Sequence, residues 1–143
     1  MLISLLADIV TAEKRSWIMS RIRGKNTSID VKMKQMLTET SCDFQMYPKM
    51  FGSPDFIIQD KNVAIFCDGD FWHGYTYMHG KVLRKKYWRE KIERNMKRDK
   101  QVSRMLRKQG WHVLRFWEHD INARSYFCMR KLCRVLDVPS HSS

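Results

Sequence analysis

Apolar and polar positions alternate along this chain with helical and strand periods in turn. Thr11 can cap a short first helix running to about Arg23 and stopping at Gly24. Thr27 opens a second helix, whose Ile29, Met33, Met36 and Leu37 recur at the spacing of one buried face. Phe44–Tyr47 reads as a short strand, and Gly52-Ser53-Pro54 as a turn before Phe56-Ile57-Ile58. Lys61-Asn62 then turns the chain into Val63-Ala64-Ile65-Phe66-Cys67. That continuously apolar run is what a central strand covered on both faces requires.

Residues 68–80 lack either period and are expected to be irregular. A long helix follows from about Tyr87 to Lys108, with Trp88, Ile92, Met96 and Met105/Leu106 as its inward stripe and Gly110 as its stop. Trp111–Trp117 is expected as a strand, Ala123–Leu136 as a closing helix, and Pro139–Ser143 as a frayed tail. No repeat or Pro/Gly-rich linker divides the chain. The pattern predicts one domain over 1–143, frayed at 1–7 and 138–143, of α/β class. Its sheet is mixed, because a hairpin comes first and a helical crossover later.

Charge adds a partner to this picture. The chain has 143 residues and a formal net charge of +12. Residues 13–25 carry Lys14, Arg15, Arg21, Arg23 and Lys25 against Glu13, and residues 81–108 carry 13 basic residues, Lys85, Lys86 and Arg89 among them, against Glu90, Glu93 and Asp99. The remainder is slightly acidic. A solvated helix face is the ordinary explanation of a charge run. Two runs that bracket the most carboxylate-rich stretch fit a polyanion better, and nucleic acid is the expected partner. No apolar run approaches the length of a membrane span, and Met1–Val10 has no basic residue ahead of its apolar stretch, so a cytoplasmic protein is expected. Cys42, Cys67, Cys128 and Cys133 form no Cys-x-x-Cys pair, which argues against a disulfide scaffold or a zinc finger.

The candidate chemistry lies between the basic runs. Asp55 follows Pro54 at the start of one strand, and Asp68 and Asp70 follow the end of the next. A hairpin through Lys61-Asn62 would make 55 and 68 near-partners, within reach of one hard cation. His73 stands a few residues on and could move a proton at neutral pH, so the set suits metal-assisted phosphodiester hydrolysis. Singly, these residues have blander explanations: Asp55 capping a turn, Asp68-Gly69 forming one, His73 a surface residue. Jointly, in a basic chain, they favour catalysis. Phe71 and Trp72 fit either core packing or an aromatic wedge against bases, and their spacing does not choose.

Pro54-Asp55-Phe56 and Ile65-Phe66-Cys67-Asp68-Gly69-Asp70-Phe71-Trp72-His73-Gly74 resemble the very-short-patch-repair (Vsr) mismatch endonucleases. Glu13-Lys14-Arg15-Ser16, Met19, Arg21-Ile22 and Thr27 are similar to that family's N-terminal arm. Trp88, Lys91-Ile92, Asn95, Arg98-Asp99, Leu106, Gly110-Trp111 and Trp117-Glu118 match its later segments. The resemblance covers roughly residues 8 to 122. It implies a restriction-endonuclease-like fold and a Mg²⁺-dependent, monomeric enzyme that nicks one strand beside a thymine–guanine mismatch. It makes Asp55 the metal-binding carboxylate, Cys67 the position whose backbone carbonyl completes the site, and His73 the catalytic histidine. Asp30 falls at an acidic position supporting the metal through water, although Thr27-x-x-Asp30 reads equally as a helix cap. Met19, Phe71 and Trp72 match residues that wedge into DNA.

The departures from that pattern matter too. Asp68 stands where the family pattern has His, implying either a further carboxylate ligand or an altered phosphate contact. The family's zinc-ligand positions hold Asp70, Tyr75, Tyr77 and His119, which are not a zinc set, so aromatic packing is expected to hold the loop. A site-specific nuclease of the same fold and a non-catalytic DNA-binding module are the rival readings.

Overall fold

A computed structural model describes residues 27–79 and 85–139, so the expected first helix and its basic residues lie outside the described residues. Helix α1, Ser28–Glu39, starts where Thr27 leaves the extended region and its side-chain oxygen accepts the Asp30 N–H at 3.4 Å. Its expected inward set, Ile29, Met33, Met36 and Leu37, is buried in full. Strand β1 shortens to Gln45–Met46, and β2 spans Phe56–Ile58. A single 3₁₀ turn, Gln59–Lys61, ends on Asn62 in the left-handed conformation, which reverses the chain into β3, Val63–Asp68.

Between β3 and the long helix the expected irregular stretch contains one short helix, α2, Tyr75–Met78. Gly74 admits it by adopting φ +91°, and a Cβ there would collide with the Met96 side chain. Helix α3 covers Lys86–Lys108. Gly110, at φ +98°, lets the Trp111 N–H fold back to the Leu106 carbonyl at 3.0 Å. Strand β4 runs His112–Trp117. The expected closing helix, Ala123–Leu136, is α5 (Ser125–Leu136), and ahead of it lies a short helix the sequence pattern does not predict, α4 (Glu118–Ala123), set apart where Arg124 leaves helical geometry.

The sheet order is β1-β2-β3-β4, with the first two pairings antiparallel and β3–β4 parallel. The sheet is mixed, as expected, because a hairpin needs only a turn whereas β3 to β4 needs the α3 crossover. Every residue of β3 is buried. On one face Val63, Ile65 and Cys67 join α1, α4 and α5; on the other Ala64 and Phe66 join Leu106 of α3. Burying each large aliphatic or aromatic side chain here stabilises the fold by roughly 1.5–3 kcal/mol.

Helix α3 departs from expectation at one residue. Ile92 and Leu106 are buried, but Met105 is 44% exposed. One residue is a rotation of about 100° on a helix, and the face shared by Ile92, Ser103 and Leu106 leaves Met105 outside. Among the described residues no helix is long and apolar enough to cross a membrane.

Candidate active site

Two side-chain groups meet in one cavity of about 1190 Å³, at the end of β3 between α1 and α3. The first faces α1. Asp55 is pinned by its backbone, donating to the Ile65 carbonyl at 2.9 Å and accepting from the Tyr47 N–H at 2.8 Å. Its carboxylate accepts the Cys67 N–H at 2.7 Å, so it extends the hairpin ladder by one side-chain rung. Asp30 reaches the same place from the first turn of α1, and Tyr47 donates its hydroxyl to it at 2.7 Å. Ligand atoms of Asp30, Asp55 and Cys67 all lie within 4.8 Å of one another.

Crowding acids into a partly buried site has an electrostatic consequence. Burial, reinforced by Asp30 and Asp68, pushes Asp55 up to about 7, although the Cys67 N–H and Arg115 pull the other way. Burial and the same carboxylates push the Cys67 thiol well above its ordinary range. A divalent cation between the two carboxylates would relieve that repulsion, and the hard oxygen donors suit Mg²⁺ better than a soft metal. The protonated thiol beside them is a poor ligand. The donor set therefore fits the implied cation through its carboxylates.

The second group faces α3. His73 Nδ1 lies 2.6 Å from Asp99 Oδ2 and 3.7 Å from Asp68 Oδ1. Arg115, from β4, donates to both Asp68 oxygens at 3.1 and 3.2 Å. Burial raises Asp68, while His73 and Arg115 draw it down. The hairpin register pairs Phe56 with Ile65, which places position 55 two residues short of facing 68. Strand alternation then turns Asp68 away from Cys67 and toward α3, and it is not one of the three clustered potential ligands.

The turn carrying His73 also carries two aromatic rings. Phe71 and Trp72 stand edge to face at 5.1 Å, and both contact Trp88 of α3, at 5.6 and 5.9 Å. Asn95 donates to the Trp72 carbonyl at 3.0 Å, and the Lys91 ammonium sits over the Trp72 ring. These rings pack against one another and α3, as the first of the two explanations requires, and they also line the cavity. Beyond them Asp70 holds His119 at 2.9 Å, Tyr75 lies over the His119 ring at 4.1 Å, and Tyr77 donates to Glu93 at 3.1 Å.

Of the expected phosphate contacts, Lys85 and Lys86 are exposed at the start of α3, and Arg89 is partly so. Lys86 pairs with Glu90 at 3.7 Å, a solvent-screened contact of little energy. Lys14, Arg15, Met19, Arg21, Arg23 and Lys25 lie outside the described residues.

Sequence reasoning assigned no role to Asp99, Arg115 or Tyr47. Two of them left a signal. Asp99 is an acid on the Ile92–Ser103–Leu106 face of a strongly basic helix, and Arg115 is a cation set among the apolar residues Val113, Leu114, Phe116 and Trp117 of its strand.

Comparison with known proteins places this geometry. The family described as DNA mismatch endonuclease Vsr matches residues 7–79. The type II nicking enzyme V.NmeDIP of Neisseria meningitidis serogroup C is 33% identical over 129 residues, covering 87% of each chain. V.HpaIIP, the type II nicking enzyme of Haemophilus parainfluenzae, is 34% identical over 80% of this chain and 84% of its own. The DNA mismatch endonuclease Vsr of Escherichia coli (strain K12) is 32% identical over 83% of this chain and 78% of its own. A mixed sheet between helices, acids at the end of its central strand and relatives along most of its length agree: the chain belongs to the Vsr family of DNA mismatch endonucleases, DNA-nicking endodeoxyribonucleases with a restriction-endonuclease-like fold.

Proposed function

We propose that this protein is a monomeric, Mg²⁺-dependent enzyme that nicks one strand of duplex DNA beside thymine–guanine mismatches, as in very short patch repair. The observation that carries the proposal is the meeting of a carboxylate pair, Asp30 buried and Asp55 half-buried, with a carboxylate-held histidine in one cavity. Asp55 would hold the ion, with the Cys67 backbone carbonyl beside it and Asp30 supporting it through water. When bound, the ion supplies positive charge to the scissile phosphate and favours ionisation of the attacking water.

The chain's own residues do the rest. Asp99 accepts from His73 Nδ1, which leaves Nε2 as the basic atom that takes a proton from the attacking water. Asp68 is engaged by Arg115 and His73, so its part is to shape the histidine's surroundings rather than to ligate. Phe71 and Trp72 line the cavity where a base step would be opened, and aromatic stacking on a base contributes about 1–3 kcal/mol. Met19, Lys14, Arg15, Arg21, Arg23 and Lys25, together with Lys85, Lys86 and Arg89, would contact the duplex.

The test incubates the protein with Mg²⁺ and either a thymine–guanine duplex or its matched counterpart. Nicking of the mismatched duplex alone, lost with EDTA, supports the proposal. Equal cutting of both would replace it with a site-specific nuclease. Tight binding without any cutting would leave only a DNA-binding module.

A further inference from the structure

Arg115 makes more directed contacts than any single structural task in this region needs. Its Nη1 donates to both Asp68 oxygens at 3.1 and 3.2 Å, and lies 3.8 Å from Asp99 Oδ1. Nη2 donates to the Asp99 main-chain carbonyl at 3.2 Å, and Nε donates to Ser103 Oγ, one helical turn on, at 2.8 Å. The guanidinium lies 4.0 Å over the Phe66 ring, which is itself buried in the sheet. One planar group thus ties β3, β4 and α3 together, and its fork geometry suits several acceptors at fixed angles.

Both carboxylates that it touches face the same atom. His73 Nδ1 has Asp99 at 2.6 Å and Asp68 at 3.7 Å. Two carboxylates competing for one imidazole nitrogen would leave the ring free to tilt toward either. By engaging Asp68 through two hydrogen bonds, Arg115 occupies that competitor. By holding the Asp99 backbone, it keeps the closer carboxylate at hydrogen-bond distance. The sequence points to the same coupling, since Asp68 stands at a position where the resembled pattern has His, and an acid buried there requires a cation.

We propose that Arg115 is a positioning residue of the nicking reaction, acting through Asp68 and Asp99 to fix the His73 imidazole in its productive orientation. The proposal rests on His73 being the base. No contact of Arg115 with DNA is invoked, so its loss should slow chemistry and spare binding.

The experiment measures the single-turnover nicking rate of a thymine–guanine duplex at saturating enzyme and DNA affinity without metal. It adds the ¹⁵N and ring-proton NMR signals of His73. For Arg115→Gln the rate constant should fall on the order of 10²-fold while affinity stays within about twofold. The His73 Nδ1–H signal should lose its hydrogen-bonded position. Arg115→Lys, which keeps the charge but not the fork, should remain slow.

Because an unpaired Asp68 also weakens the fold, the double variant Arg115→Leu/Asp68→Leu is the control. It should recover thermal stability but only part of the rate, because the competing carboxylate is gone while the Asp99 backbone is still not held. Full recovery of both would reduce Arg115 to a counter-charge and overturn the proposal. A wild-type rate and His73 signal in Arg115→Gln would overturn it as well. Failure of the underlying reading is separable: His73→Ala nicking at the normal rate would remove His73 as base, while the NMR signals still report whether Arg115 orients the ring.

Discussion

Asp55 carries the conflict between stability and function in a single side chain. Its carboxyl is pushed up to about 7, chiefly by burial. Below about pH 4 it is neutral both folded and unfolded. Between there and about 7 the unfolded chain releases the proton and the folded chain keeps it, so the metal-free protein loses stability as pH rises, levelling above about 7. The loss is on the order of a few kcal/mol. Asp55→Asn should therefore be more stable than wild type in EDTA at pH 8 and indistinguishable near pH 4, as thermal unfolding would show. The variant's amide oxygen can still accept the Cys67 N–H that Asp55 accepts at 2.7 Å. Added Mg²⁺ should raise the wild-type melting temperature at pH 8 and leave that of Asp55→Asn unmoved, and nicking by the variant should vanish with DNA affinity intact. A variant that still nicks normally ends the metal assignment. Asp99→Asn probes the neighbouring pair. An amide can hold the Nδ1 lone pair instead of its proton, selecting the wrong tautomer, and the rate should fall ~10²–10⁴-fold without weaker binding.

Elements set how accurately these side chains meet. The turn from Asp70 to Gly74 is braced by the His73 N–H on the Gly69 carbonyl at 3.1 Å and by Asn95 on the Trp72 carbonyl. It approaches α3 so closely at Gly74 that a methyl group would strike Met96, and the residue's φ of +91° disfavours any side chain. Gly74→Ala should lift the turn from α3, costing about 1–3 kcal/mol of stability and slowing nicking more than it weakens binding. Melting temperature and single-turnover kinetics check it. A variant with unchanged kinetics would show that the turn tolerates displacement. Elements were unevenly legible. Helix α1 was read to its cap and buried face, because Thr27 and a 3-4 apolar spacing are local signals. The short helix α4 was not, since its six residues carry too little apolar period to announce a helix and it is packing against α1 and β4 that buries Ile121.

On the scale of the whole molecule, the charge excess and the clustered carboxylates belong mostly to different parts of the sequence. The excess lies in residues 13–25 and 81–108, while the acids converge on the end of β3. Long-range attraction to a polyanion then belongs to the basic segments, whereas the paired carboxylates favour a cation. DNA binding should weaken steeply with salt, the logarithm of affinity falling with the logarithm of salt at a slope of about −0.9 for each phosphate neutralised. Replacing Lys85, Lys86 and Arg89 together by Gln should make that slope shallower by about 2–3 and weaken matched and mismatched duplexes alike. Affinity measured across salt concentrations decides it. An unchanged slope would take these three residues off the DNA.

The linear chain by itself determined what depends on near neighbours. The inward face of α1, the doubly buried β3, the glycine stop after α3, the acid behind Pro54 and the partition of charge are all readable within a few residues of themselves. Tertiary structure decided which distant side chains share a cavity. The hairpin register set Asp55 against Cys67 rather than opposite Asp68, strand alternation turned Asp68 to the other face, and the crossover through α3 brought Asp99 onto His73 and Arg115 onto Asp68. Those meetings span 12 to 47 residues. They are set by the rotation of one helix over the sheet and the parallel pairing of β3 with β4, and each depends on how the whole core packs.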